Sequence, residues 1–299
     1  MAKDDKIIEP RHPSFFLEVL EGFRADECTL LAAAISFYGL LSIIPLIFLG
    51  VAFLGYIMGS SEGAVERVVT VITELLPLPV VGRVEDLLQS VIATRAVAGI
   101  LALLSFLWVA NGAFETVERA INIIQRAKET RGYFYRKMVG FVIMATSGTL
   151  LLLSFLISPL LVAVWSLAND LLSYFDVLRP YAQSVNAKLA PLWHYVALPL
   201  PFVLMLVVFL LIYLMAPARP VPLRSAVLGA LIASILWQGA RELYSYYLLH
   251  YAPHDRLYGP VGALVGLVLW IYWTAVILLW GAEVAEVHSR RSLRKRREA

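Results

Sequence analysis

Charged residues are nearly absent from six long stretches of this chain, and the polar positions between them come in short blocks. No charged side chain occurs over Cys28–Ser61, Ala96–Phe114, Met138–Asn169, Leu189–Ala218 or Leu257–Ala282. The remaining stretch, Ser225–Tyr251, is interrupted by Arg241, Glu242 and His250. A helix needs roughly 20 apolar residues to cross a hydrocarbon core of about 30 Å. The pattern therefore predicts an all-α, polytopic membrane protein with six transmembrane helices, over about 30–58, 96–114, 138–168, 193–216, 225–250 and 259–282. It divides the chain into a leader (1–29), a membrane domain (30–287) and a basic tail (288–299).

Two connecting segments carry helical patterns of their own. In the leader, Phe15, Phe16, Val19, Leu20 and Phe23 gather on one helical face, with Glu18, Glu21 and Arg24 elsewhere. That is the pattern of a short helix lying in the membrane interface. After the first span, Val68, Ile72 and Leu75 belong to one amphipathic stripe, Pro77 and Pro79 break it, and Val84, Leu87 and Val91 begin another. These predict an external amphipathic helical hairpin, whose apolar stripes pack on the bundle or dock an envelope protein partner.

Composition agrees with the pattern: 60% of residues are apolar and 16% are charged, against about 25% charged in a soluble domain. The net charge of +3 is small, but its distribution fixes an orientation. With the N-terminus inside, eighteen Lys and Arg residues fall on inside segments and seven on outside ones. The positive-inside rule places both termini in the cytoplasm. The basic tail then reads as a topology anchor touching anionic headgroups, and no nucleic acid is expected. The single cysteine, Cys28, rules out an intrachain disulfide. It reads as a small buried hydrophobe, with acylation the alternative. No cleavable signal peptide is evident.

Gly55 with Gly59, and Gly262 with Gly266, form G-x-x-x-G steps that let helices approach closely, within one bundle or in a homo-oligomer. Pro45, Pro159, Pro199 and Pro201 predict kinks, which a membrane tolerates against protein or a wet cavity. Tyr244, Tyr246 and Tyr247 suit an outer aromatic belt and Trp280 an inner one. Intramembrane charge is expensive, so Gln238, Arg241 and Glu242 form one candidate site, for a ligand or a lipid headgroup. A snorkelling arginine in a structural ion pair is the plainer account. Asn111, Glu115 and Glu283 form a second candidate, for an ion or a proton, unless they simply pair with interfacial arginines. Enzyme signatures are missing. The i, i+4 histidines His250 and His254 are separated by Pro253, and there is no phosphate-binding loop and no nucleophile elbow. Neither a metal nor a cofactor is expected.

The run Ala32–Tyr38 with Ser42 and Pro45 resembles the first-span signature of the YihY/BrkB family of bacterial inner-membrane proteins. Phe114–Ile123 resembles that family's motif after the second span. Pro220–Trp237, Tyr258–Gly259, Trp270–Tyr272 and Gly281–Glu283 resemble its C-terminal half. The resemblance covers residues 15–287 and implies a six-span protein of the inner, cytoplasmic membrane. It brings the labels ribonuclease BN and virulence factor, and links to salt tolerance and envelope lipids. A ribonuclease finds no support here, because the cytoplasmic loops are short and lack a metal cluster. Two expectations follow. One is a non-enzymatic transporter, or transport-associated protein, handling a lipid or an ion. The other is a non-transporting envelope scaffold that docks a partner through the external hairpin.

Overall fold

The computed structural model describes residues 14–58, 95–127, 132, 137–143, 145–146, 149, 200–250 and 259–298. The described residues are helical, with no strand among them. The predicted external hairpin, most of the third span and the second outer loop lie outside them, as do Gly59, Pro159 and Pro199.

Helix α1 (Phe15–Ala25) begins at Ser14, whose hydroxyl accepts from the Leu17 N–H at 3.3 Å, and carries Glu18 in its first turn and Arg24 in its last. Both charges complement the helix dipole. The chain then turns through Glu27, whose φ is 49°, and α2 (Cys28–Met58) follows at once. Helix α2 runs through Pro45. Helix α3 (Arg95–Ile124) packs beside α2, and the helical residues 137–143 follow it. Helices α4 (Leu200–Met215), α5 (Leu223–His250) and α6 (Gly259–Glu298) complete the bundle, with α5 against both α4 and α6.

Among the described residues four helices are long and apolar enough to cross a membrane, over Cys28–Leu46, Gly99–Ile124, Leu223–Tyr247 and Val265–Arg296, and α4 holds a shorter apolar run, Phe202–Met215. Large apolar side chains point outward, Trp108 at 73% exposure and Leu30 at 64%. In water such surface would drive aggregation, whereas lipid takes it up. The molecule is a multi-pass membrane protein.

Lipid gives helices no hydrophobic reason to associate, so close packing must do it. The α5–α6 contact is built accordingly from small residues. Ala226, Ala230 and Ala233 of α5, and Ala275, Ala282 and Ala285 of α6, are all buried. At their centre Gly229 and Gly281 face one another: a Cβ on Gly281 would stand 2.9 Å from the Gly229 carbonyl oxygen and 2.8 Å from Ala233 Cβ. Tyr213 of α4 closes the cluster, fully buried, and its hydroxyl donates to the Leu278 carbonyl at 2.7 Å.

Helix α6 does not stop at the end of the predicted sixth span. Its 40 residues make a rod of about 60 Å, roughly twice the hydrocarbon thickness. The tail predicted as a separate segment is its last turns, because nothing in Ser289–Glu298 breaks a helix. That extension holds α1. Val19 and Phe23 are buried, Val19 against Val284 and Val287, and Trp280 sits between Phe16 and Phe23 at 5.7 and 5.3 Å. Arg291 reaches Glu18 at 3.0 Å and lies over the Phe15 ring. The predicted interfacial helix is thus half docked, with Phe16 and Leu17 left exposed. On the same end His288 Nδ1 lies 2.9 Å from the Ser225 hydroxyl, tying the start of α5 to α6.

Candidate functional site

A groove of about 1020 Å³ runs along the α5–α6 face and is continued by α1. Its floor is a stripe on α6: Gly266, Trp270, Trp273, Ile277 and Trp280 recur at three- or four-residue steps. That spacing keeps all five on one helical face, running about 21 Å from Gly266 to Trp280. The α5 wall comes from Leu236, Ala240, Leu243 and Tyr244. Tyr244 stacks on Trp270 at 5.0 Å, which holds the ring upright at the far end. A Cβ on Gly266 would lie 3.2 Å from the Tyr244 hydroxyl, so a larger residue there would narrow the groove. Phe16, Leu20, Phe23 and Arg24 of α1, with Thr29, form the opposite end. Arg24 is the one charged residue of the lining, and among the described residues it pairs with no carboxylate. The groove is therefore an apolar channel, as long as a leaflet is deep, with a single cation at one mouth.

Gln238, Arg241 and Glu242 come together as the sequence spacing suggests, but beside the groove and outside its lining. Arg241 Nη2 reaches Glu242 Oε1 at 2.9 Å, and Gln238 Nε2 donates to the same oxygen at 3.1 Å. The two charged side chains remain 42% and 63% exposed. Adjacent in the chain, the two charges largely cancel each other. Gln238 Oε1 is buried with no partner.

The second candidate group divides. Asn111 and Glu115 lie one turn apart on α3, and Lys137 bonds to both, donating to Asn111 Oδ1 at 2.8 Å and pairing with Glu115. Glu283 sits elsewhere, 2% exposed, where the Cys28 thiol approaches its Oε1 at 3.7 Å. A Cβ on Gly22 would stand 2.6 Å from Glu283 Oε2, so α1 covers this carboxylate closely because it has glycine there. Cys28 is fully buried, as its reading as a small hydrophobe requires. Among the described residues no group of His, Cys, Asp and Glu could hold a metal ion. Of the predicted packing glycines, Gly266 faces Tyr244, while the surroundings of Gly55, Gly59 and Gly262 lie outside the description.

Sequence reasoning missed the groove, although Trp270, Trp273 and Trp280 share one helical face and could have signalled it. It also missed Gly229 and Gly281, which Gly229-x-x-x-Ala233 and Gly281-x-x-x-Ala285 mark in the same way as a G-x-x-x-G step.

Comparison with known proteins places these features in a family. The chain is 30% identical to a UPF0761 membrane protein of Legionella pneumophila over 277 residues, covering 91% of this chain and 62% of that one. It is 31% identical to the UPF0761 membrane protein YihY of Salmonella typhimurium over 56% of this chain and 51% of that protein. It is 23% identical to a protein of Bacillus subtilis named putative ribonuclease-like protein YfkH, covering 94% and 97%. The chain thus spans less than two thirds of the length of the Legionella relative. No solved structure matches it. The family model described as virulence factor BrkB matches residues 19–299. The protein described here belongs to the BrkB family of membrane proteins.

Proposed function

We propose that this protein handles phospholipid in the bacterial cytoplasmic membrane, as a transporter or a component of one, without catalysing a reaction. The observation that carries the reading is the groove. It is apolar along about 21 Å of α6, three tryptophans line its floor, and Arg24 stands unpaired at one mouth. That combination suits an acyl chain lying along α6 with its anionic headgroup at Arg24. The exposed pair Arg241–Glu242 lies off this path, so the headgroup contact is assigned to Arg24.

In this reading the chain crosses the inner membrane six times with both termini in the cytoplasm. Contacts between segments that the charge tally puts on one side support it. Glu18 of the leader meets Arg291 of the tail. Asn122, at the end of α3, accepts from Ala218 in the α4–α5 turn at 2.7 Å. The scaffold reading rests on the external hairpin, which lies outside the described residues, and the ion reading loses the convergence of its carboxylates.

Native mass spectrometry of the detergent-purified protein tests the proposal. Wild type and Arg241→Ala retain a phospholipid, whereas Arg24→Ala loses anionic lipid and Ala240→Trp, which fills the groove, loses lipid altogether. Lipid-free wild type, or retention undisturbed by Ala240→Trp, sinks it.

A further inference from the structure

A second cavity, of about 510 Å³, opens beside the last turn of α3, away from the groove residues, and is lined by Arg119, Asn122, Ile123, Arg126 and Ala127. Arg119, Asn122 and Arg126 are spaced i, i+3 and i+7, so they stack along one side of the helix end.

Three observations at this spot need one explanation. Asn122 is 4% exposed, and its Oδ1 accepts from the Ala218 N–H at 2.7 Å. That bond fixes which way the amide faces. Its Nδ2 is then left buried with no hydrogen-bond partner. Buried donors in native proteins are nearly always satisfied, and an orphan points to an absent water, ion or ligand. Second, Arg126 takes a left-handed backbone, φ 49°. The helix ends there with Arg126 N–H on the Ile123 carbonyl at 3.0 Å and Ala127 N–H on the Asn122 carbonyl at 3.0 Å. This is the termination that normally uses glycine, because other residues are strained in it. Third, Arg119 and Arg126 are both exposed, and neither forms an ion pair among the described residues. Glu286 of α6 is within electrostatic reach of Arg126 and Arg219, and Glu115 of Arg119, but no carboxylate lines the cavity.

Cations near a helix C-terminus complement its dipole. That accounts for two arginines but neither for the orphaned amide nor for arginine at a glycine position. Two guanidinium groups and an amide N–H beside a cavity that no carboxylate lines match a small anion rich in oxygen. We infer that this cavity binds a phosphate group, carried by a lipid headgroup or by a soluble phosphate compound. Arg119 and Arg126 supply the charge, and Asn122 Nδ2 supplies the hydrogen bond that sets the orientation. The inference is independent of the groove and of what the groove holds.

The test uses the whole protein with two probes. Inorganic phosphate is titrated calorimetrically into protein in neutral detergent. Separately, nanodiscs of phosphatidylglycerol or of phosphatidylcholine are compared by the lipid each protein keeps on extraction. The variants are Arg119→Gln, Arg126→Gly and Asn122→Asp, the last keeping an oxygen for Ala218 while removing the donor. Binding in one probe should fall about tenfold or more in each variant, as for loss of a charge-assisted hydrogen bond. Dependence in the phosphate arm identifies a soluble anion, and in the phosphatidylglycerol arm a headgroup. Arg126→Gly adds an internal control, since relief of the left-handed arginine should raise the melting temperature of the ligand-free protein by about 2 °C. Because that variant folds at least as well as wild type, its loss of binding cannot be blamed on misfolding. If neither probe depends on any of the three residues, the inference is overturned.

Discussion

The two ends of the α5–α6 pair treat their carboxylates in opposite ways. At the far end of α5, Arg241 and Glu242 stand in the open and neutralise each other. At the end that carries α1, polar atoms are shut in: Glu283 is 2% exposed and Asn122 4%. Charge at membrane depth draws attention in a sequence because its cost is obvious. At the far end the two charges pair with each other, which lowers that cost. At the leader end buried polar groups are held by closely fitted backbone, including Gly22 against Glu283.

Four substitutions sharpen this contrast. The largest effect belongs to the packing that both ends share. Gly281→Val drives two methyl groups into α5 and should cost about 3 kcal/mol. It is read as loss of the monodisperse species in detergent, and normal behaviour would refute the close α5–α6 approach. Tyr213→Phe removes a buried hydrogen bond to Leu278 at 2.7 Å and should cost about 1 kcal/mol, measured as a lowered melting temperature. Glu18→Lys sets like charge against Arg290 and Arg291, and with Glu18 at 20% exposure about 1 kcal/mol is expected. Faster proteolysis within α1, at an unchanged bundle melting temperature, is the readout. Arg241→Ala comes last, with a change below about 0.5 kcal/mol. A large destabilisation there would reverse the comparison.

Much of the bundle could be read from the sequence, because twenty apolar residues in lipid have few alternatives to a helix. The predicted fifth span, 225–250, became α5, Leu223–His250. Helix ends were less legible. The second span was ended at Phe114, before the first charge, yet α3 continues to Ile124. Charge marks where the hydrocarbon stops, whereas a helix stops where its backbone turns, here at Arg126. Site residues were legible where they are neighbours in sequence, as with Gln238 and Glu242. They were not where α1 supplies them, since no local pattern says that Arg24 will stand at the mouth of a groove made by α5 and α6.

Cys28, the chain's single cysteine, is fully buried at the junction of α1, α2 and α6. A thiol that no reagent can reach in the folded state makes the wild-type protein effectively cysteine-free for labelling. A spin probe or fluorophore can be placed at any newly introduced cysteine without first removing the native one. The onset of Cys28 modification on heating then reports the opening of that junction.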